Sequence, residues 1–192
     1  GSFPGGALVN PAALALGIDS DDFLALVSHA LAHNWFSDDL YPEPDAAIGM
    51  GEGLPEYAAI VIDEAQGGEG ARRRHIEKFL SEFDGAQSRA AEIPLGVITP
   101  ADSLPQRRIA LAKAPLFFAA LEDACGAAPM REGLTRLAIL LRGQQVDYSD
   151  LRSALEQSSG KDLAGTFRVW LYQKGIPADF RARYEPGQPP AP

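Results

Sequence analysis

The sequence predicts a mainly α-helical domain with a short β element at its N-terminus. Apolar residues recur every three or four positions through several long segments, which is the periodicity of amphipathic helices. Residues 3–18 differ because glycine and proline interrupt an apolar run there, which favours short extended pieces. A chain of 192 residues is long enough to bury a core, so one domain is expected over residues 1–184.

The first long helix is predicted from about Asp21 to Phe36. Ser20 and the two acids that follow it form an N-terminal capping cluster, and acids in the first turn complement the helix dipole. Before this helix, we expect a strand from Ala7 to Val9 and a short extended or helical piece from Ala13 to Gly17.

The remaining helices follow from the same apolar period. Residues 67–70 are expected to form a turn and residues 85–103 a connection, whose Pro94–Gly96 region is placed beside a cleft. Pro115 predicts a kink or a break in its helix. Residues 185–192 are expected to be a disordered tail. The predicted helices run from Leu54 to Gln66, Ala71 to Gly85, Leu104 to Cys125, Met130 to Arg142, Tyr148 to Ser158 and Asp162 to Lys174.

Charge and composition exclude several classes of partner. The net charge is −9 and the pI about 4.8, whereas nucleic acids and anionic membrane surfaces attract a basic face. Charges interrupt the longest apolar runs before they reach bilayer-spanning length, so membrane insertion is not expected. The single cysteine excludes an intrachain disulfide. Composition indicates neither an oligomeric state nor a cellular location.

Several conspicuous residues are expected to have structural roles only. The basic run Arg72–Arg74 is interpreted as the solvated start of a helix, and His75, which has no partner at ligand spacing, as a surface residue. Cys125 lies in an apolar helical run and is expected to be a buried thiol, and Tyr57 is expected to be a packing residue. The acidic stretch 38–45 is expected to be a solvated loop.

A pair of histidines followed by a carboxylate is the centre of the functional prediction. His29 and His33 are four residues apart, so on a helix they share one face and can reach the same ion. Eighteen residues separate His33 from Glu52, and prolines and glycines in that stretch can end one helix and begin another. Two histidines and one carboxylate around an open fourth position are the ligand set of a catalytic zinc ion.

The residues around this set carry a family resemblance. Asn34-Trp35-Phe36 follows the second histidine, and G-E-G-L-P-E-Y occupies residues 51–57. This arrangement resembles the M1 aminopeptidase family of gluzincins, whose usual pattern is H-E-x-x-H-x-W-F followed by N-E-G-F-x-x-Y. Residues 167–180 also resemble the closing helix of bacterial M1-like proteins, where F-x-x-W-x-x-x-x-G-x-P recurs.

The resemblance implies a fold and a cofactor. The fold is the helical part of a thermolysin-like gluzincin domain, with a β-edge segment over residues 3–18, zinc-motif helices over 20–66 and a helical bundle over 68–184. The implied cofactor is zinc, held by His29, His33 and Glu52. Glu56 lies one turn after Glu52, and it either accepts the second N–H of a ligand histidine or is an exposed residue of the first turn.

Three positions depart from the family pattern. Ala30 stands where the family has its catalytic glutamate. Residues 6–10, G-A-L-V-N, match the family's substrate-binding G-A-M-E-N, which places Gly6 and Ala7 against the substrate, but Val9 replaces the glutamate that holds the substrate's amino terminus. Leu111 is the best match to the tyrosine that stabilises the oxyanion. A general base contributes roughly 10²–10⁴-fold and an oxyanion donor about 10²–10³-fold, so little peptidase activity is implied.

These departures favour one function and leave others open. The favoured hypothesis is a degenerate M1-like domain that keeps a zinc site and binds a peptide or protein in the former substrate cleft. The alternative is an active zinc aminopeptidase that carries an engineered glutamate-to-alanine change at Ala30, but one such change does not account for Val9 and Leu111. A third reading is a site that has lost the metal and only packs. Proximity alone makes Glu56 or Asp38 a candidate for a displaced base.

Overall fold

The computed structural model of the chain describes residues 2–3, 6–7, 21–36 and 40–184. Within these ranges the chain is mainly helical and has four very short strands. β1 (Ser2–Phe3) pairs antiparallel with β2 (Gly6–Ala7). The predicted α-helical class with a short β element at the start is therefore confirmed. The expectations for residues 8–20 and for the tail 185–192 lie outside the described residues.

Eight helices make up the described part of the chain, and their bounds follow the predicted ones closely. The first and the fourth helix have the predicted bounds, and the others begin and end within three residues of them. The last helix was not predicted. The helices are α1 (Asp21–Phe36), α2 (Gly53–Gly67), α3 (Glu69–Gln87), α4 (Leu104–Cys125), α5 (Ala127–Leu140), α6 (Tyr148–Ser159), α7 (Ala164–Tyr172) and α8 (Ala178–Tyr184).

Helix α4 forms the centre of the core. Every residue from Ala112 to Leu121 is buried, so this part of the helix packs on all sides. The ring of Phe117 contacts Phe167 at a centroid distance of 5.3 Å and Phe118 at 5.2 Å. The predicted break at Pro115 is wrong, because the helix continues through the proline, whose surroundings are buried. No helix in the described ranges is both long and apolar enough to cross a bilayer.

The interpretation of Arg72–Arg74 as a solvated helix start is wrong for Arg72. The helix begins earlier, at Glu69, and Arg72 is buried between α2 and α4. Its guanidinium pairs with Glu122 and lies 3.2 Å from carboxylate oxygens of both Glu64 and Asp123. A buried cation requires such partners. Glu122 lies fifty residues further along the sequence, so the sequence analysis did not identify it as a partner of Arg72.

Two further expectations are corrected by contacts between distant residues. His75 is not a free surface residue, because its Nε2 atom pairs with Oδ2 of Asp63 on α2. The Pro94–Gly96 region does not border the cleft, since the backbone N–H of Gly96 donates to the carbonyl of Leu171 at 2.8 Å. Cys125 and Tyr57 are buried, as predicted.

Candidate metal centre

Helix α1 presents both histidines on one face. The Nε2 atoms of His29 and His33 lie 3.1 Å apart, and the two rings meet edge to face with centroids 4.8 Å apart. Their side chains are 19% and 16% exposed, so they are largely shielded while still open on one side. The four-residue spacing on a regular helix produces this convergence, as the sequence indicated.

The loop before α2 brings the carboxylate to these rings. Backbone N–H groups of Met50, Gly51 and Glu52 donate to carbonyls four residues earlier, so residues 46–52 already turn like a helix. Gly49 is required here, because a Cβ atom at this position would lie 1.8 Å from the hydroxyl of Tyr148. Glu52 is the N-cap residue of α2, where a negative charge complements the helix dipole.

The three candidate ligand atoms form a compact triangle. Oε2 of Glu52 lies 3.9 Å from Nε2 of His29 and 3.7 Å from Nε2 of His33. All three atoms lie within 4.8 Å of one another. The point equidistant from the three atoms is about 2.1 Å from each, which is the length of Zn–N and Zn–O bonds. The donor set and its spacing therefore fit a zinc ion.

Glu56 faces the other nitrogen of His29. Its Oε1 atom lies 3.2 Å from Nδ1 of His29, at an angle short of a full hydrogen bond. Burial lowers the pKa of His29, but the carboxylates of Glu56 and Glu52 outweigh it and raise the pKa above its usual value. A carboxylate on the second ring nitrogen fixes the tautomer that leaves Nε2 free to bind a metal.

A cleft of about 640 Å³ opens beside this triangle. His29, Glu52 and Glu56 line this cleft, and so does Leu111 of α4. An isobutyl side chain cannot donate a hydrogen bond to an oxyanion.

The other predicted site residues in the described part of the chain are Ala30, Gly6 and Ala7, and Ala30 is not among those that line the cleft. Ala30 is buried on α1 and carries no group that could accept a proton. Gly6 and Ala7 form β2, while Val9 lies outside the described residues.

Charged residues that the sequence analysis did not single out also line the cleft. Glu82 and Arg89 come from α3 and the residues just after it, and Arg108 comes from α4. A helical projection of α4 could have found Arg108, since it is four residues after Leu104 and three before Leu111. Glu82 and Arg89 required knowledge of how α3 packs.

Solved structures of an M1 zinc metallopeptidase from Deinococcus radiodurans are similar in fold to this chain. A glutamate-to-alanine mutant of that protein, bound to a Tyr-Ser-Ala substrate, is 24% identical with a TM-score of 0.62. The match covers 80% of this chain and 34% of that one. The chain has an M1 metallopeptidase-like fold.

A second structure of the Deinococcus radiodurans protein supports the M1-like fold. It is 24% identical with a TM-score of 0.60, and the match covers 78% of this chain and 32% of that chain. The M1-like chain thus spans about a third of the length of the solved structures it matches. No family model and no curated protein sequence matches it.

Proposed function

We propose that this chain is a zinc-binding, catalytically degenerate M1 metallopeptidase-like domain that binds peptide segments in its cleft. One observation carries the proposal. The atoms of His29, His33 and Glu52 converge at zinc-ligand spacing, and the sequence resemblance assigns Ala30 and Leu111 to the positions of the family's proton-transferring and oxyanion-stabilising groups. The ligand set supports metal binding, and the two replacements support loss of hydrolysis.

Each side chain has a separate role in this proposal. A bound zinc ion would act as a Lewis acid toward a peptide carbonyl and lower the pKa of its bound water. The carboxylate of Glu56, 3.2 Å from Nδ1 of His29, would orient this ring with Nε2 toward the metal position. Ala30 cannot take a proton from water or pass it to a leaving amine. Leu111 lines the cleft with apolar surface and donates no hydrogen bond that could stabilise the oxyanion formed during cleavage.

The size and lining of the cleft support a peptide as the ligand. A volume of about 640 Å³ is within the range of small-molecule and peptide sites, and its lining mixes apolar surface with a few charged groups. In the neighbouring Deinococcus radiodurans protein, a glutamate-to-alanine mutant is bound to a Tyr-Ser-Ala substrate. A fold of this kind can therefore hold a peptide when it carries such a replacement.

Metal analysis tests the first part of the proposal. Protein purified without chelator should contain about one zinc ion per chain, and His29→Ala should lose it. The matched control is His75→Ala, which removes a histidine that pairs with Asp63 on α2 instead of facing the triangle. Wild-type protein that contains no zinc and takes up none on titration would refute the metal site and favour a packing role.

Restoring the missing base tests the second part. Ala30→Glu should yield at most slow peptide hydrolysis, because Leu111 still supplies no oxyanion donor, whereas adding Leu111→Tyr should raise the rate by about 10²–10³-fold. Ala30→Gln is the matched control, since it adds similar volume without a base. Vigorous aminopeptidase activity in Ala30→Glu alone would refute the degenerate reading and favour an active enzyme with an altered residue 30.

A further inference from the structure

The face of α4 that lines the cleft alternates apolar and cationic side chains. Leu104, Arg108 and Leu111 all line the cleft, and their spacing places them on successive turns of one helix face. All three side chains are exposed, and Leu104 and Leu111 are 53% and 37% exposed. A ligand that runs along α4 from the metal triangle therefore meets an apolar residue, a cation and a second apolar residue.

Helix α3 forms the opposite wall and runs antiparallel to α4. Near its start, Arg72 pairs with Glu122, and further along Phe83 packs against Ile109 and Ala112. Later residues of α3 thus lie beside earlier residues of α4. Continuing this register places Glu82 level with Ala112, and it places Gln87, the last residue of α3, level with the first turn of α4. Arg89 follows two residues later and lines the same cleft.

The cleft is consequently polarised along its length. Gly53, the residue after Glu52, packs against Ala114 of α4, which is further from Leu104 than Leu111 is. The acids Glu52, Glu56 and Glu82 and the ring of His29 therefore line the end of the cleft nearest Leu111. At the other end lie the exposed arginines Arg89 and Arg108. The ion pairs among the described residues use other arginines, so these two guanidinium groups are available to a ligand.

We infer that the cleft selects peptides that carry a carboxylate one or two residues beyond the carbonyl held at the metal triangle. This inference rests on the proposed function. A helix rises 1.5 Å per residue, so Arg108 begins about 4.5 Å and Leu104 about 10.5 Å along the axis from Leu111. An extended peptide advances about 3.3–3.6 Å per residue, so the distance of about 4.5 Å to Arg108 corresponds to one or two residues and that to Leu104 to about three.

The recognised group is a carboxylate because of the geometry of arginine. A guanidinium group binds carboxylates through two parallel hydrogen bonds, and charge-assisted bonds of this kind are stronger than neutral ones. Leu104 and Leu111 can meanwhile cover the apolar side chains on either side of it. The carboxylate can belong to the peptide's C-terminus or to an aspartate or glutamate side chain.

Three probe peptides distinguish these sources. They are N-acetyl-Ala-Leu-Ala as the free acid, the same peptide as its C-terminal amide, and N-acetyl-Ala-Leu-Glu as its C-terminal amide. Titration calorimetry with zinc-loaded wild-type protein should show at least one carboxylate peptide binding roughly ten-fold or more tightly than the neutral amide. The tighter of the two carboxylate peptides then identifies the source.

Substitutions locate the preference in the two arginines. Arg108→Gln and Arg89→Gln should each reduce the preference for the carboxylate, and the double variant should abolish it, so that the carboxylate peptides bind no more tightly than the neutral amide. Arg131→Gln, an exposed arginine on α5 outside this cleft, is the matched control and should keep the preference.

The outcomes separate this inference from the proposed function. Equal binding of acid and amide by the wild-type protein overturns the inference but leaves peptide binding intact. A preference that survives in the double variant also overturns it. Absence of binding by all three peptides refutes both the inference and the peptide-binding role.

Discussion

A buried ion pair between Lys113 and Glu92 makes a quantitative prediction about stability. Their side chains are 1% and 2% exposed, and Nζ of Lys113 lies 2.9 Å from Oε1 of Glu92. Lys113 also donates to the carbonyl of Gln173 at 2.7 Å, and Glu92 accepts from the N–H of Gly175 at 2.6 Å. The pair therefore ties α4 to the chain that follows α7.

Replacing Lys113 by methionine should destabilise the fold strongly. The substitution preserves much of the volume but leaves the carboxylate of Glu92 buried without a countercharge, which costs about 3–5 kcal/mol. Burial lowers the pKa of Lys113 even though the carboxylate of Glu92 opposes this effect. The attraction between the two charges therefore does not fully offset the cost of removing the ammonium group from water. Adding Glu92→Gln to Lys113→Met should therefore recover about 2 kcal/mol by removing the stranded charge.

Urea denaturation at neutral pH, followed by circular dichroism, measures these differences from the midpoints at constant slope. Lys78→Met is the matched control, because this exposed lysine on α3 should change stability by less than about 0.5 kcal/mol. A loss below about 1 kcal/mol for Lys113→Met would refute the buried-charge argument. A double variant that loses the sum of the two single losses would refute the coupling.

Three other predictions concern the metal site and the helix ends. Glu56→Gln should weaken zinc binding by about 10–100-fold in chelator competition, because it alters the group that orients His29. Gly53→Ala should cost about 1–3 kcal/mol in urea unfolding, since its Cβ atom would lie 2.7 Å from that of Ala114.

Asp147→Ala should cost about 1 kcal/mol in the same assay, because its side chain accepts the backbone N–H groups of the first turn of α6. Burial raises the pKa of Asp147, but hydrogen bonds from that turn outweigh it and lower the pKa below the usual aspartate value. This contribution should be present above about pH 4 and disappear as the pH falls through the lowered pKa, so wild type and variant should converge in acid.

The local features of this fold were readable from sequence, and the long-range ones were not. Helix α1 has the predicted bounds, and the residues that predicted it lie within one segment of the sequence. The convergence of His29 with His33 follows from helix geometry alone. The position of Glu52 beside the two histidines depends on how the loop after α1 folds. It was therefore predicted from the spacing in the family pattern and not from helix geometry.

The failures have a common physical cause. Arg72 and His75 were interpreted as solvent-exposed residues, yet each is paired with an acid from another segment. Charge type indicates a preference for water, but partners 12 to 50 residues away can reverse that preference. Arg108 could have been found from sequence, because it shares a helix face with Leu104 and Leu111, whereas Glu82 and Arg89 depend on how α3 packs against α4.

The loop that carries Glu52 also makes the metal site dependent on a distant part of the chain. β3 (Tyr41–Pro42) pairs in parallel with β4 (Gln145–Val146), and the ring of Tyr148 lies directly over Gly49. During synthesis, the two histidines emerge more than a hundred residues before these contacts become available. A growing chain would thus hold His29 and His33 in place before Glu52 is positioned beside them. Tight zinc binding would therefore begin only when the segment from β4 to α6 has packed against the loop that carries Glu52.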